Sequence, residues 1–554
     1  MTVDIASLVS DNLDIWTTAV ERKSGAGRGG GKRVSLYGIG RLRALILDLA
    51  VRGKLVGQDD SDEPASKLIQ KISQSAAAKS SKRDAAQSEV GPFLLPDSWA
   101  WVKLGSICDL PYGKNLPTKC LLDHGYPVFG ANGVIGRFSE FHYSEPKLLI
   151  SCRGAYSGKP NISPPECYIT NNSIICDFYR DDLTNLRCYY YFLSGMNKSS
   201  MVSGSAQPQV TVANAAPFLI PLPPFAEQQR IVAKVDELMA LCDALEAESA
   251  AAMAAHQALV EALLATLSAS TDAADLATNW ARLEAHFDTL FTTESSVNAL
   301  KQTVLELAVR GKLVPQVATD EPAAAMLKAV KKSGVDRGAK QKPHSTIADA
   351  DHPFNLPKGW CWERFDNLIE PKFPIAYGVL VPGADQPDGI PFVRIADLSI
   401  TDPAPLPEKS ISAEVDAQFP RTRLRGGEIL MGVVGSIGKL GVAPASWAGA
   451  NIARAICRIV PSPLMDRSYV LWLLQSDFMQ SSFTGDTRTL AQPTLNIGLI
   501  RLAATPVPPA AEQKRIVAKV DELMALCDAL NASITDAAST QKYLTDAITE
   551  RSVA

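Results

Sequence analysis

Residues 231–245 read "IVAKVDELMALCDAL", and residues 516–530 read the same fifteen letters again. Working outward from this pair, three blocks recur in the same order. "LDLAVRGKLVGQDDSDEPA" (47–65) returns as "LELAVRGKLVPQVATDEPA" (305–323). "PFLLPDSWAWVKL" (92–104) returns as "PFNLPKGWCWERF" (353–365), and "PLPPFAEQQRIVAKVDELMALCDAL" (221–245) as "PVPPAAEQKRIVAKVDELMALCDAL" (506–530). The intervening stretches, 105–220 and 366–505, share little. A frame is duplicated, and what it frames is not.

The third block predicts a helix. Ile231, Val235, Leu238, Cys242 and Leu245 step by four and three, and Pro223-Pro224 end the strand before them. In the second copy Ile516, Val520, Leu523, Cys527, Leu530, Ile534, Ala537, Gln541, Leu544 and Ile548 prolong the step behind Pro508-Pro509. Such a seam is the mark of long helices packing on one another, here roughly 40 residues and some 60 Å each. A simple dimerisation zipper would have no use for the repeated "LAVRGKLV". The inserts read as mixed α/β units, with short apolar strands split by turn signals. Each has one helix-like run, "LRCYYYFLSGM" in the first and "YVLWLLQSDFMQSSF" in the second. The same order in different residues predicts one fold carrying two surfaces. Stretches 66–91 and 327–352, rich in Ala, Ser, Lys and Asp, read as exposed linkers.

At 554 residues the chain is expected to divide into about three to five structural units. A hydrophobic content of 46% with 21% charge places it among globular proteins. The opening "MTVDIASLVSDNLDIW" has acids among its apolar positions, so no signal peptide is expected, and no uninterrupted apolar run suggests a membrane span. Ten cysteines without a C-x-x-C pair read as reduced core residues of a cytosolic protein. The net charge of −4 conceals a local imbalance: 225–270 holds seven acids against two bases, whereas 100–220 holds ten bases against eight acids. A basic surface in the insert can therefore be masked in the sum.

Catalytic signatures are missing. "GAGRGG" (25–30) matches the dinucleotide fingerprint in letters only, with no strand before it, and reads as part of a flexible basic arm, 21–33. Asp123 with "EPK" (145–147) mimics a nuclease carboxylate–lysine pair by chance spacing. There is no Asn/Asp-Pro-Pro-aromatic tetrapeptide of amino-methyltransferases, no G-x-S-x-G elbow and no histidine pair at metal-ligand spacing. Contact chemistry is present. "CRGAYSGKPN" (152–161) sets Arg153, Tyr156, Ser157, Lys159 and Asn161 on a glycine-rich loop, and "VVGSIGKLG" (433–441) sets Ser436 and Lys439 comparably. Asn171, Asn172 and Gln207, with Arg394, Arg488 and Gln492 in the second insert, add amides and guanidiniums able to reach base edges, while lysines suit phosphates.

Taken together, "DNLDIW…LYGIGRLRALILDLAVRGKLV", the doubled "LAVRGKLV…DEP", the "LPxxWxW" motif and the doubled "PxPPxAEQxRIVAKVDELM" resemble the specificity subunit of type I restriction–modification systems over essentially the whole chain. The resemblance implies a non-catalytic protein. It implies two α/β target recognition domains, held apart by long antiparallel coiled-coil helices in a pseudo-two-fold repeat. The implied division is a helical scaffold, arm and linker at 1–91, a first recognition domain at 92–224 and the central helix with repeated scaffold at 225–326. A linker at 327–352, a second recognition domain at 353–509 and a last long helix at 510–554 complete it. Double-stranded DNA, two methyltransferase subunits and two endonuclease/translocase subunits are the implied partners. S-adenosylmethionine, ATP and Mg2+ belong to those partners, with no cofactor or metal in this chain. Partner docking is expected on polar positions of the doubled helix: Glu227, Arg230, Lys234 and Glu237, with Glu512, Arg515, Lys519 and Glu522.

Overall fold

The computed structural model describes residues 4–23, 33–79, 87–204, 207–270, 273–336, 344–484 and 495–553. It is a mixed helix-and-sheet chain with helices Phe225–Ala269 and Ala510–Val553, 45 and 44 residues long. Two units emerge. One comprises Met1–Met253 with Asp536–Ala554, the other Ala254–Thr535.

The repeated blocks meet inside each unit. In the first unit, strand Ala100–Lys103 of the second block pairs antiparallel with Leu219–Leu222 of the third, so the insert leaves and returns through adjacent strands. Cys361–Arg364 pairs in the same way with Ala504–Val507 in the second unit. The first block ends a helix, Tyr37–Val51 or Glu294–Val309, at a glycine of positive φ, Gly53 or Gly311. A Cβ on either would strike the proline of the second block, Pro96 or Pro357. The next residue caps a long helix. Lys54 Nζ donates to the Val553 carbonyl at 2.8 Å, and Lys312 Nζ to the carbonyls of Ser268 and Ser270 at 2.8 and 2.7 Å. A cation on carbonyls that lack helical partners is favourable, which gives "AVRGKLV" its reason for recurring.

Both inserts carry the same strand order. The first has a four-stranded antiparallel sheet, Cys108–Asp109, Ser173–Phe178, Leu148–Ser151 and Pro160–Ile162, in that spatial sequence. Beside it lie Val134–Phe138, Tyr126–Phe129 and Tyr168–Ile169, the last pair parallel. The second insert repeats this with Ala376–Tyr377, Ile456–Ile459, Ile429–Gly432 and Leu440–Val442, and with Lys409–Ile411, Ile390–Val393 and Asn451–Ile452. Helix Leu186–Gly195 follows in the first, and helices Arg467–Gln475 and Asp477–Thr484 in the second.

Three expectations change. The stretches read as linkers are not open throughout, because helices Ala65–Lys79 and Ala323–Asp336 occupy their first parts and bury Leu68, Ile72 and Ala76, or Met326, Leu327 and Val330. The basic arm is not wholly irregular: Val20–Lys23 pairs antiparallel with Arg33–Leu36, while "GAGRGG" lies outside the described residues. The apolar seam also fades. Ile231, Val235, Leu238 and Cys242 are buried, as are Ile516, Val520 and Cys527, but Ala537 and Leu544 are exposed. Towards its end the second long helix instead buries Thr545 and Thr549 and joins Asp546 to Tyr37 and Arg41.

The first long helix also holds an 18-residue stretch of mean hydropathy 1.4, long and apolar enough by composition to cross a membrane. Much of that apolarity is alanine, and Val260 and Leu264 near its end are buried in the second unit's core. All ten cysteines carry free thiols, eight of them buried, including Cys242 and Cys527.

Candidate nucleic-acid interface

The two glycine-rich loops share their framing backbone hydrogen bonds, the first loop being one residue longer. In the first insert Ser151 N donates to Lys159 O (2.9 Å), Gly158 N to Ser151 O (2.8 Å) and Lys159 N to Tyr156 O (2.9 Å). In the second Gly432 N donates to Lys439 O (2.8 Å), Gly438 N to Gly432 O (2.9 Å) and Lys439 N to Ser436 O (3.3 Å). Positive φ angles fall at Gly154 and Gly158 in one loop and at Gly435 and Gly438 in the other. Two further strands of chain close on each loop. Cys152 bonds to Asn172 O and Val210 N to Cys152 O, whereas Val433 bonds to Ala455 O and Leu495 N to Val433 O. Asn171 N reaches Lys114 O in the first insert, and Arg454 N reaches Val379 O in the second. The framing hydrogen bonds are thus shared although the first loop is one residue longer, and the side chains differ: Arg153 against Val434, Asn171 against Arg454, Asn172 against Ala455.

In the first insert this geometry gathers Lys114, Arg153, Tyr156, Lys159, Asn171 and Asn172 at one end of the sheet. Arg153, Tyr156 and Lys159 are exposed, with Lys159 Nζ 5.5 Å from the centre of the Tyr156 ring. Arg153, Asn171 and Asn172 have no side-chain hydrogen-bond partner among the described residues, so their donors are open to a ligand. Gln207 is exposed on the neighbouring turn. Ser157 and Asn161 are otherwise engaged. Ser157 Oγ donates to the Pro208 carbonyl at 2.6 Å, and the Asn161 amide to Ser151 Oγ and Lys159 O at 3.1 and 3.3 Å. Both hold the loop and do not face outward for a base.

The second insert corrects more of the expectation. Arg394 is committed to Asp397 and Glu408 at 3.2 and 2.6 Å, and these carboxylates hold its guanidinium charge. Lys439 Nζ is pinned on the carbonyls of Ile395 and Ala396. Ser436 is exposed, while Arg488 and Gln492 lie outside the described residues. Arg454, which the sequence reading missed, is exposed at the position matching Asn171, with no side-chain partner among the described residues. Its signal was available only by aligning inserts of dissimilar sequence.

The polar positions assigned to docking divide sharply. Glu227 and Glu512 are 0% and 1% exposed, so neither is an outward position. Glu227 accepts from Trp99 Nε1 at 2.8 Å and from Gln58 Nε2 at 2.6 Å; Glu512 accepts from Trp360 Nε1 at 3.0 Å and from Gln316 Nε2 at 2.7 Å. Each carboxylate therefore ties the third block to the first and second. Burial raises both carboxyls above the ordinary range, and the indole and amide donors oppose that rise. Arg230 and Arg515 pair with Asp62 and Asp320 of the first block at 2.6 and 2.5 Å. Lys234–Glu237 and Lys519–Glu522 remain on the surface as pairs at 2.8 Å. The adjoining Gln228 and Gln513, also overlooked, are buried and accept from the backbone of Asn185 and Asp466 at 2.7 and 2.8 Å, where the insert helices begin.

Comparison with known proteins adds an independent line. Residues 96–252 match the type I restriction modification DNA specificity domain. The Type I restriction enzyme EcoAI specificity subunit of Escherichia coli is 33% identical over 602 residues, covering 100% of both chains. The EcoEI specificity subunit of the same species is 32% identical over 603 residues, covering 99% of each. A solved chain, described in work on complex assembly and conformational transition of the type I R-M system, is 19% identical with a TM-score of 0.47, over 83% of this chain and 99% of that one.

Proposed function

The chain belongs to the specificity subunits of type I restriction enzymes, and from that premise we propose that its two inserts read the two unlike halves of an interrupted, asymmetric DNA target. The protein is the recognition subunit and not a catalyst, and it acts with DNA and with modification and restriction subunits. The observation that carries the two-reader proposal is the pair of loops with shared framing hydrogen bonds and different side chains. A symmetric dimer presents one surface twice and reads a palindrome. A fused duplication with divergent inserts keeps two equivalent frames and reads two different sequences.

In the first insert Arg153, Asn171 and Asn172 are assigned to base edges and Lys114 and Lys159 to phosphates; in the second, Arg454 and Ser436 take the open positions. Target recognition domains at 92–224 and 353–509, joined through an antiparallel coiled coil of the two long helices, fix the unspecific spacer. Two methyltransferase subunits dock on the duplicated helix faces around Lys234, Glu237, Lys519 and Glu522, and two endonuclease/translocase subunits join through them. S-adenosylmethionine, ATP and Mg2+ act on those partners. Exchanging residues 105–220 for another such insert, with the complex otherwise intact, tests the division of labour. One half of the methylated motif should change and the other should not; a change in both halves, or in neither, would sink the proposal.

A further inference from the structure

Outside the loops, an exposed tyrosine stands at matching positions of the two inserts. Tyr112 and Tyr377 are 46% and 38% exposed; Tyr112 lies just beyond the first strand of its insert's four-stranded sheet and bridges Ile174, while Tyr377 ends the corresponding strand and pairs with Cys457. Each is followed by a glycine packed so closely that a Cβ would fall on backbone oxygen: Ile169 and Thr170 for Gly113, Ile452 for Gly378. Each hydroxyl accepts from the first amide of the short helix before the returning strand, Val212 N at 3.3 Å and Ile497 N at 3.0 Å. Tyr377 Oη also donates to the Leu495 carbonyl at 3.1 Å. The rings are therefore held at the surface by their hydroxyls, with the ring and not the polar tip left to a partner.

The surroundings of these tyrosines decide what that partner is. Two residues on, Lys114 stands where the second insert has buried Val379, and the neighbouring turn offers Asn171 in one insert and exposed Arg454 in the other. The base-edge position has diverged across this face, Asn171 against Arg454, and so has the phosphate contact at Lys114, whereas the tyrosine has not. What two unlike half-sites have in common is the sugar–phosphate backbone, whose contacts position a protein without carrying sequence information. We infer that Tyr112 and Tyr377 are matched register contacts, each laying its ring against the deoxyribose–phosphate backbone of its own half-site. The inference rests on the two-reader proposal above.

The test uses the whole complex with its methyltransferase partner, binding a target duplex and a scrambled duplex. Tyr112→Ala and Tyr377→Ala should each weaken both duplexes alike, on the order of tenfold, the loss expected of a buried aromatic anchor, and leave the methylated motif unchanged. Tyr112→Phe and Tyr377→Phe, which keep the ring, should bind as the parent does. In the unmutated complex, target DNA should protect both tyrosines from nitration, a readout that needs no variant to fold. Normal binding by the alanine variants, or nitration unaffected by DNA, overturns the inference. So does a phenylalanine variant that loses as much affinity and thermal stability as alanine, since the role would then be to cap the short helix. A changed base in one half of the motif would make the tyrosine a reader and also overturn it. An unmutated complex with no preferred sequence removes the two-reader proposal itself, and is recognised before any variant is made.

Discussion

At the scale of single residues, two glutamates hold the repeated blocks of each frame together. Glu227 and Glu512 each collect an indole N–H and an amide N–H from blocks distant in sequence. Removing such an acceptor strands buried donors, so Glu227→Ala should cost about 3 kcal/mol and Glu227→Gln less, read as thermal midpoints of the purified chain. Equal midpoints for alanine and parent would refute the clasp. The pH dependence has a definite sign. Both carboxyls are raised by burial, so the folded chain holds protons that the unfolded chain releases. Their contribution is present near the ordinary glutamate range and is lost as pH rises through the raised value. The midpoint of the parent should therefore gain on that of the Glu227→Gln, Glu512→Gln double variant as pH falls from neutrality towards the ordinary glutamate range; a shift the other way contradicts the burial argument. This is also where sequence reading failed. Helical periodicity counts a polar residue just inside a helix as outward and cannot register donors arriving from residues 58 and 99. Yet Gln58/Gln316 and Trp99/Trp360 were visible as identities in the repeat.

At the scale of elements, the long helices and the succession of strands along each insert were legible because prolines, apolar steps and turn residues announce them locally, whereas the pairing of those strands was not. The helices Ala65–Lys79 and Ala323–Asp336 were not, since alanine and lysine are good helix formers as well as ordinary linker residues. Leu68, Ile72 and Ala76, four apart, carried the overlooked signal. The likeness of the two glycine-rich loops was legible, but their hydrogen-bond matching, and with it Arg454, was not. In the first long helix residues 246–255 are largely exposed, so extra length there disturbs little packing. Four added residues lengthen a helix by about 6 Å and turn it only about 40° beyond a full circle. Such an insertion should alter the spacer between the half-sites while leaving the half-sites as they were, read from the methylated motif. Altered half-sites with an unchanged spacer would refute the ruler role of the helix.

At the scale of the whole molecule, duplication of the frame explains which residues recur and which were free to diverge. Blocks that meet in a clasp, a strand pair or a helix cap are held to their identities in both halves; the side chains of the exposed loops are not. The central claim is that two unlike readers sit on two like frames. It is tested most directly by a single-molecule methylation map of DNA from cells expressing this chain with its methyltransferase partner. The expected result is a two-part asymmetric motif with a fixed spacer and a modified adenine in each half. Methylation at a palindrome, or with no motif at all, would contradict it.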